Sequence, residues 1–401
     1  MRFKYLTINN VRFFPLLFFL VFGLAVAYNH QEAEWKGKIE IKDGIKIFRN
    51  PAQPLYGEIH FKLEEDLSIG NEEDDNYMFY LVWHIAVDEK GNIYVVDWGK
   101  KHVQMFDNTG KYIRTIGRQG QGPGEFRSPD GVFVNALNGE IYVPDSFAIK
   151  VFSANGDYKR TIPLKTYNRS YCISPGGVII GETDKYIFKG HDKKQTSERL
   201  ATLRFINSKD GSESTIASFP DQLSKNIEGR VAKFTHGYEH EFHLGAIDPE
   251  TFVYGFSSDY LLNVIDSTEK LLFKIQKEST PLPISKEEKD AVNEKYRDSP
   301  IQNLNNIPFP KNKPYFGQIL TDSDWIFVMH YRSPQDQSEV LTMDIFNNHG
   351  YYLYEGIFPI QPKIIKNGFV YLVESSDETG NIRVKRYKIN NWAQIKGNKK
   401  H

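Results

Sequence analysis

A chain of 401 residues with 40% hydrophobic and 25% charged side chains has enough apolar content to build a core without cross-links. Its formal net charge of -1 supplies no global basic field, which argues against nucleic acid or an anionic membrane surface as partner. The single cysteine, Cys172, excludes an intramolecular disulfide and any CxxC metal or redox motif, and its setting between Tyr171 and Ile173 predicts a buried small hydrophobe.

The first residues read as an address. Arg2, Lys4 and Arg12 form a positive region, residues 13–27 an apolar run, and Ala25-Val26-Ala27 a small-x-small cleavage signal. Residues 1–27 are therefore expected to be a signal peptide cut before Tyr28, with residues 28–54 an N-terminal extension. The run is shorter than the about 20 residues of a bilayer span, so no span is expected after cleavage; an uncleaved anchor is the alternative. No cysteine near the cut supports a lipoprotein anchor. Export follows, to a periplasm or to the exterior.

A repeat begins after residue 80. Trp83-His84-Ile85-Ala86-Val87 alternates as a short strand and ends in a polar turn. Ile93-Tyr94-Val95-Val96-Asp97, His102-Val103-Gln104-Met105-Phe106 and Lys111-Tyr112-Ile113-Arg114-Thr115-Ile116 follow, separated by Gly/Asn/Asp turns. A second copy repeats Ile-Tyr-Val-x-Asp at Ile141 to Asp145, and Gly156 to Ile162 repeats the last strand. Weaker copies start near Tyr171, Phe234, Pro314 and Gln361, their second strands carrying Val178-Ile179-Ile180, Phe252-Val253-Tyr254, Ile326-Phe327-Val328 and Val370-Tyr371-Leu372. One four-stranded meander cannot bury both of its faces, whereas copies stacked around an axis can. The expected fold is all-β: a six-bladed β-propeller of four-stranded antiparallel blades over residues 55–392, followed by a tail at 393–401. The sixth copy runs out of chain after three strands. Glu58-Ile59-His60-Phe61-Lys62-Leu63 is expected to supply its outer strand and so remove an exposed sheet edge.

One segment breaks the strand rhythm. Residues 285–297 predict a helix, with Ser285 as N-cap and Glu288 completing a capping box, inside an insertion at about 284–299. It is either a surface insertion or a lid over the propeller mouth.

The run Ile116-Gly117-Arg118-Gln119-Gly120-Gln121-Gly122-Pro123-Gly124-Glu125-Phe126, followed by Ser128-Pro129-Asp130-Gly131, resembles the repeat-joining segment of NHL-repeat propellers, and more narrowly of exported bacterial TolB-like six-bladed propellers. The specific motifs cover about residues 82 to 170. The resemblance implies ligand binding on a propeller face; a few relatives are metal-dependent lyases or lactonases, so fold analogy alone decides little. The glycines lack the Lys-Ser/Thr and following helix of a phosphate loop and are expected to give positive φ in the crossing, with Phe126 plugged between blades.

In an antiparallel meander the innermost strand starts on the face where the second strand ends. Asp97, Asp145, Glu182, Phe256, His330 and Glu374 are thus expected around one channel mouth. Asp97 and Asp145 also suit turn-capping, while the others could line a ligand or cation site. Trp83-His84, Asp130, Ser170-Tyr171, Phe242-His243, Tyr315-Phe316 and Gln361 start the innermost strands, where aromatics suit carbohydrate, peptide or loop recognition or wedge the blades together. Of the cluster His236, His240 and His243, the first two share a strand face and the third points away; a set of His84, His243 and His330 is the better-placed metal alternative.

The expected function is non-catalytic binding by a monomer. Its ligand is a protein, peptide or carbohydrate held by His84, Asp130, Asp145, Glu182, His243, Tyr315, His330 and Glu374, with no cofactor. The alternatives are a metal-dependent hydrolase or lyase using a divalent cation at the same mouth, and a scaffold of an envelope complex.

Overall fold

The computed structural model describes residues 34–189, 196–220, 224–227, 230–233, 235–297, 307–338, 340–375 and 380–396. The chain divides into units at 1–35 and 36–401, and the architecture below is that of the second. The expected signal peptide lies outside the described residues. Among those described, no helix is long and apolar enough to cross a membrane.

Six antiparallel sheets form the blades. Blade one is Val82–Val87, Ile93–Asp97, His102–Phe106 and Tyr112–Ile116; blade two is Phe133–Val134, Ile141–Asp145, Ala148–Phe152 and Tyr158–Pro163. Blade three is Ser170–Ile173, Ile179–Lys189, Thr196–Ile206 and Glu213–Pro220; blade four is Phe242–Ala246, Thr251–Phe256, Leu261–Asp266 and Leu271–Lys277. Blade five is Phe316–Asp322, Trp325–His330, Leu341–Asn347 and Tyr352–Phe358. Blade six is Ile364–Lys366, Phe369–Ser375, Ile382–Ile389 and, from the N-terminal side, Leu63–Ile69. An isolated hairpin, Ser224–Ile227 with Arg230–Lys233, stands between blades three and four.

Second strands are sandwiched between neighbouring sheets. Every residue of Ile93–Asp97 and of Ile141–Asp145 is buried, which explains their β-branched and aromatic content. The third and fourth strands of all six blades pair through a register irregularity at corresponding places, for example Met105/Phe106, Val264/Ile265 and Arg386/Tyr387. Such a bulge adds twist to the sheet. In the glycine run, Gly117 sits at φ 72° and a Cβ there would lie 2.1 Å from the Phe126 ring. Phe126 is fully buried and packs on Phe152 of blade two at 5.6 Å, so the expected plug is present. Cys172 is buried as expected, and burial pushes its thiol up to about 12, which keeps it inert.

The ring is closed by an N-terminal strand in blade six, but it starts at Leu63 rather than at Glu58 as expected. Leu63–Ile69 pairs antiparallel with Ile382–Ile389. Only Leu63 of the expected segment takes part; Glu58–His60 instead adds in parallel to the outer strand of blade five, with Phe61 stacked on Phe358 at 4.2 Å. The run Glu64-Glu65-Asp66 resembles a loop, yet the outer edge of a blade faces solvent and tolerates charge. Arg386 holds Asp66 at 2.9 Å, and Lys385 holds Glu65 at 3.2 Å. The extension also acquires structure: Lys38–Lys42 and Ile45–Asn50 form a hairpin on blade four, Ile45–Asn50 running parallel to Leu271–Lys277. Its Asp43-Gly44 turn has both φ angles positive, as a tight type I′ turn needs. Asn50 ties this hairpin to blade five, donating to the Gly350 carbonyl at 2.9 Å and accepting from the Tyr352 amide at 2.8 Å. The expected C-terminal tail holds a short helix, Trp392–Lys396, whose Trp392 and Ile395 are buried against blade five.

Candidate functional site

The nominated residues separate into three settings. The first is turn structure. Asp97 is fully buried and accepts from the amides of Tyr80 (2.8 Å), Leu81 (3.1 Å) and Lys100 (3.1 Å). Asp145 accepts from the amides of Arg127 (2.9 Å) and Ser128 (2.6 Å) and lies 3.3 Å from Lys150. Both carboxylates therefore fasten the chain that enters their own blade's innermost strand. Glu182 is buried between Arg169 and the Ser170 hydroxyl (2.9 Å), and burial raises its pKa. Asp97→Ala is expected to cost about 2–3 kcal/mol, because buried amides lose their acceptor; urea unfolding against wild type measures it.

The second setting is the periphery of the mouth. Burial, helped by Asp145, pushes the Asp130 carboxyl up to about 6. His84 lies in the channel bore, a cavity of about 350 Å³, with its Nδ1 3.3 Å from the Val132 amide and its ring 5.1 Å from Phe133. Burial lowers its pKa to about 4, and Lys363 adds to this. Tyr315 packs against the blade four–five core beside the cavity described next. Glu374 is exposed and pairs with Lys385 at 2.5 Å. Phe256 stacks on Phe219 at 4.4 Å as core.

The third setting is a cavity of about 610 Å³ between blades four and five. It brings His243 and His330 together with Glu241, Phe316, Tyr331 and Arg332. His84 does not line it, so the three-histidine set is not gathered in one cavity. His243 is edge-on to Phe316 at 5.6 Å, and burial takes its pKa down to about 4. His236 and His240 do not share a strand face as expected, because the strand begins only at Phe242 and both stand in the irregular segment before it. Their Nε2 atoms lie 3.0 Å from the carbonyls of Pro308 and Asn312, where each must donate rather than offer a lone pair to a metal.

The insertion does not line this cavity but packs behind it, against Tyr331 of its wall. The helix Lys286–Lys295 has the expected Ser285/Glu288 capping box. Its Val292 packs with Tyr238, Ile284 and Ile307 in a satellite core against which Tyr331 is placed. The Tyr331 hydroxyl donates to the Gly237 carbonyl at 2.6 Å, and Tyr238 donates to Gln335 at 2.6 Å. The two loops that bear the cavity residues are thus bound to each other.

Beneath His330 lies a buried charged network. Its Nε2 is 3.0 Å from Asp344, whose carboxylate also receives the hydroxyls of Tyr260 (2.5 Å) and Tyr352 (2.6 Å) and the Lys277 ammonium, 2.8 Å from each oxygen. Burial alone would raise the Asp344 pKa; the His330 hydrogen bond and the charges of His330 and Lys277 outweigh it and bring it to about 2. Donor atoms of His330, Asp344 and Glu355 lie within 4.8 Å of one another. However, the Lys277 ammonium stands where a cation would bind Asp344, so this donor set does not fit a divalent ion.

Glu241 and Arg332 escaped the sequence reading because they lie in loops without periodicity. Asp344 had a usable signal: a lone charge inside the apolar strand Leu341–Asn347.

No curated protein matches the chain. Among solved structures, a Bacteroides fragilis protein described as exported is 12% identical, with 85% of this chain and 100% of that one covered and a TM-score of 0.50. A DUF4221-family member from Bacteroides vulgatus is 13% identical (82% and 98% covered, TM-score 0.47). Virginiamycin B lyase from Staphylococcus aureus is 11% identical (81% and 99% covered, TM-score 0.38). At 12% identity the likeness to the Bacteroides fragilis protein is one of fold alone. The model of the family described as Domain of unknown function (DUF4934) matches residues 72–396. That segment holds every blade strand except the closing strand Leu63–Ile69, and the chain belongs to this family.

Proposed function

We propose that this is an exported, non-catalytic binding propeller of NHL-like repeats that takes a protein, peptide or carbohydrate ligand at the channel mouth. The observation that carries this reading is the cavity between blades four and five, where Glu241, His243, His330 and Arg332 converge beside Phe316 and Tyr331. A concave site with an aromatic wall and a few convergent polar groups suits ligand recognition. Binding is favoured over metal-dependent hydrolysis or lysis because Lys277 pairs with the acid of the one acid–histidine cluster found among the described residues.

Thermal-shift screening against peptide and oligosaccharide libraries tests this. A ligand that stabilises the wild type is expected to lose at least about tenfold in affinity with Glu241→Gln or Arg332→Gln, a change of about 1.4 kcal/mol. The unliganded melting temperature should move by only a few degrees. Undiminished binding by both variants would place recognition elsewhere.

A further inference from the structure

We infer that the mouth face of blades one to three is a carbohydrate platform, on which a glycan extends from the cavity across five aromatic rings. This rests on the mouth being the ligand face. Tyr80, Trp83, Trp98, Phe147 and Tyr167 are 37–74% exposed, and they are five of the seven exposed aromatic residues among those described. They lie on one face. Asp97, which ends the second strand of blade one, holds the Tyr80 amide, and Trp98 follows it. Phe147 stands two residues after Asp145 in the corresponding turn of blade two, and the Tyr167 carbonyl receives the Thr183 hydroxyl just after Glu182 in blade three.

The rings are held rather than loose. Tyr80 lies over Gly99, where a Cβ would come 2.1 Å from its ring. The Trp98 amide donates to the Leu81 carbonyl at 2.8 Å, and its indole donates to the Ser128 hydroxyl of the neighbouring crossing at 3.0 Å. Phe147 and Tyr167 meet edge to face at 6.1 Å. Stacking on such rings costs little ordering entropy.

The composition selects the occupant. Leu81 is the one exposed aliphatic residue amid these rings. Polar groups lie between them: Lys101 is 2.9 Å above the Trp98 ring, and Asp130 faces both Lys101 and Tyr167. The core of a protein interface is depleted of such charges. A pyranose needs both parts, because its C–H face stacks on a ring while its rim hydroxyls seek charged donors and acceptors. Blade three, which carries Thr183, precedes blade four in the ring, and Glu241 and His243 of blade four's approach and inner strand line the cavity.

The test is a glycan array of neutral, N-acetylated and uronic-acid oligosaccharides probed with the full chain. Tryptophan fluorescence then follows any oligosaccharide that binds. Trp83 and Trp98 are exposed while Trp325 and Trp392 are buried, so bound sugar is expected to shift the emission and shield it from iodide. Trp83→Ala and Phe147→Ala should each weaken binding about tenfold, with unchanged unfolding midpoints. An array without binders, or binding indifferent to both substitutions, overturns the platform. A peptide whose binding falls with Glu241→Gln but not with Trp83→Ala would overturn it while leaving the cavity reading intact.

Discussion

Replacing Asp344 by Asn is expected to destabilise the protein by about 3–5 kcal/mol, because a buried ammonium loses its counter-charge. The Lys277 side chain is only 9% exposed and its ammonium touches both carboxylate oxygens, and the two tyrosine hydroxyls converge on the same group. Urea denaturation of wild type, Asp344→Asn, Lys277→Met and the double variant measures this. The double variant should lose less than the sum of the singles, since neither charge is then left alone. The pH dependence has a definite sign. The folded-state pKa of Asp344 is depressed to about 2 from 3.8, so its contribution is fully present above the unfolded-state value and is lost as pH falls through the folded one. The advantage of wild type over Asp344→Asn should therefore hold at neutral pH and shrink by about 2 kcal/mol between pH 4 and 2. A constant difference across that window would remove the carboxylate's charge from the account.

A chain beginning at residue 71 should lose cooperative unfolding and self-associate. It lacks Leu63–Ile69, so the Ile382–Ile389 edge is left unpaired. Ile69 is buried, and Leu63 and Leu67 pack on neighbouring cores. At about 1.5–3 kcal/mol for each apolar side chain, the loss approaches the whole stability of an ordinary domain. A chain beginning at residue 51 keeps the closing strand and loses only the outer hairpin of blade four. It should melt lower but still in one transition. Calorimetry and light scattering compare them; a residue-71 chain that melts as one monomeric unit would show that the ring does not need its clasp.

The parts legible in the sequence share one physical origin. Ile93–Asp97 and Ile141–Asp145 are buried on both faces, so their side chains are tightly constrained and the repeat stands out. Ser285 and Glu288 are legible because a capping box closes within four residues. Leu63–Ile69 was misplaced because an outer strand with one wet face accepts Glu64, Glu65 and Asp66. The candidate site was half legible. His243 and His330 could be nominated because both stand at strand ends that the meander brings to one mouth. Glu241 and Arg332 could not, since no periodic pattern marks a loop residue.

The sequence by itself determined the repeating sheet, its turns, the helical insertion and the face on which second strands end, because each follows from contacts between residues close in the chain. Only the tertiary structure decided which strand closes the ring, which carboxylates are consumed by turns, and that Lys277 pairs with Asp344. Those outcomes depend on groups far apart in sequence competing for the same buried space, where one ammonium at 2.8 Å settles what no spacing could.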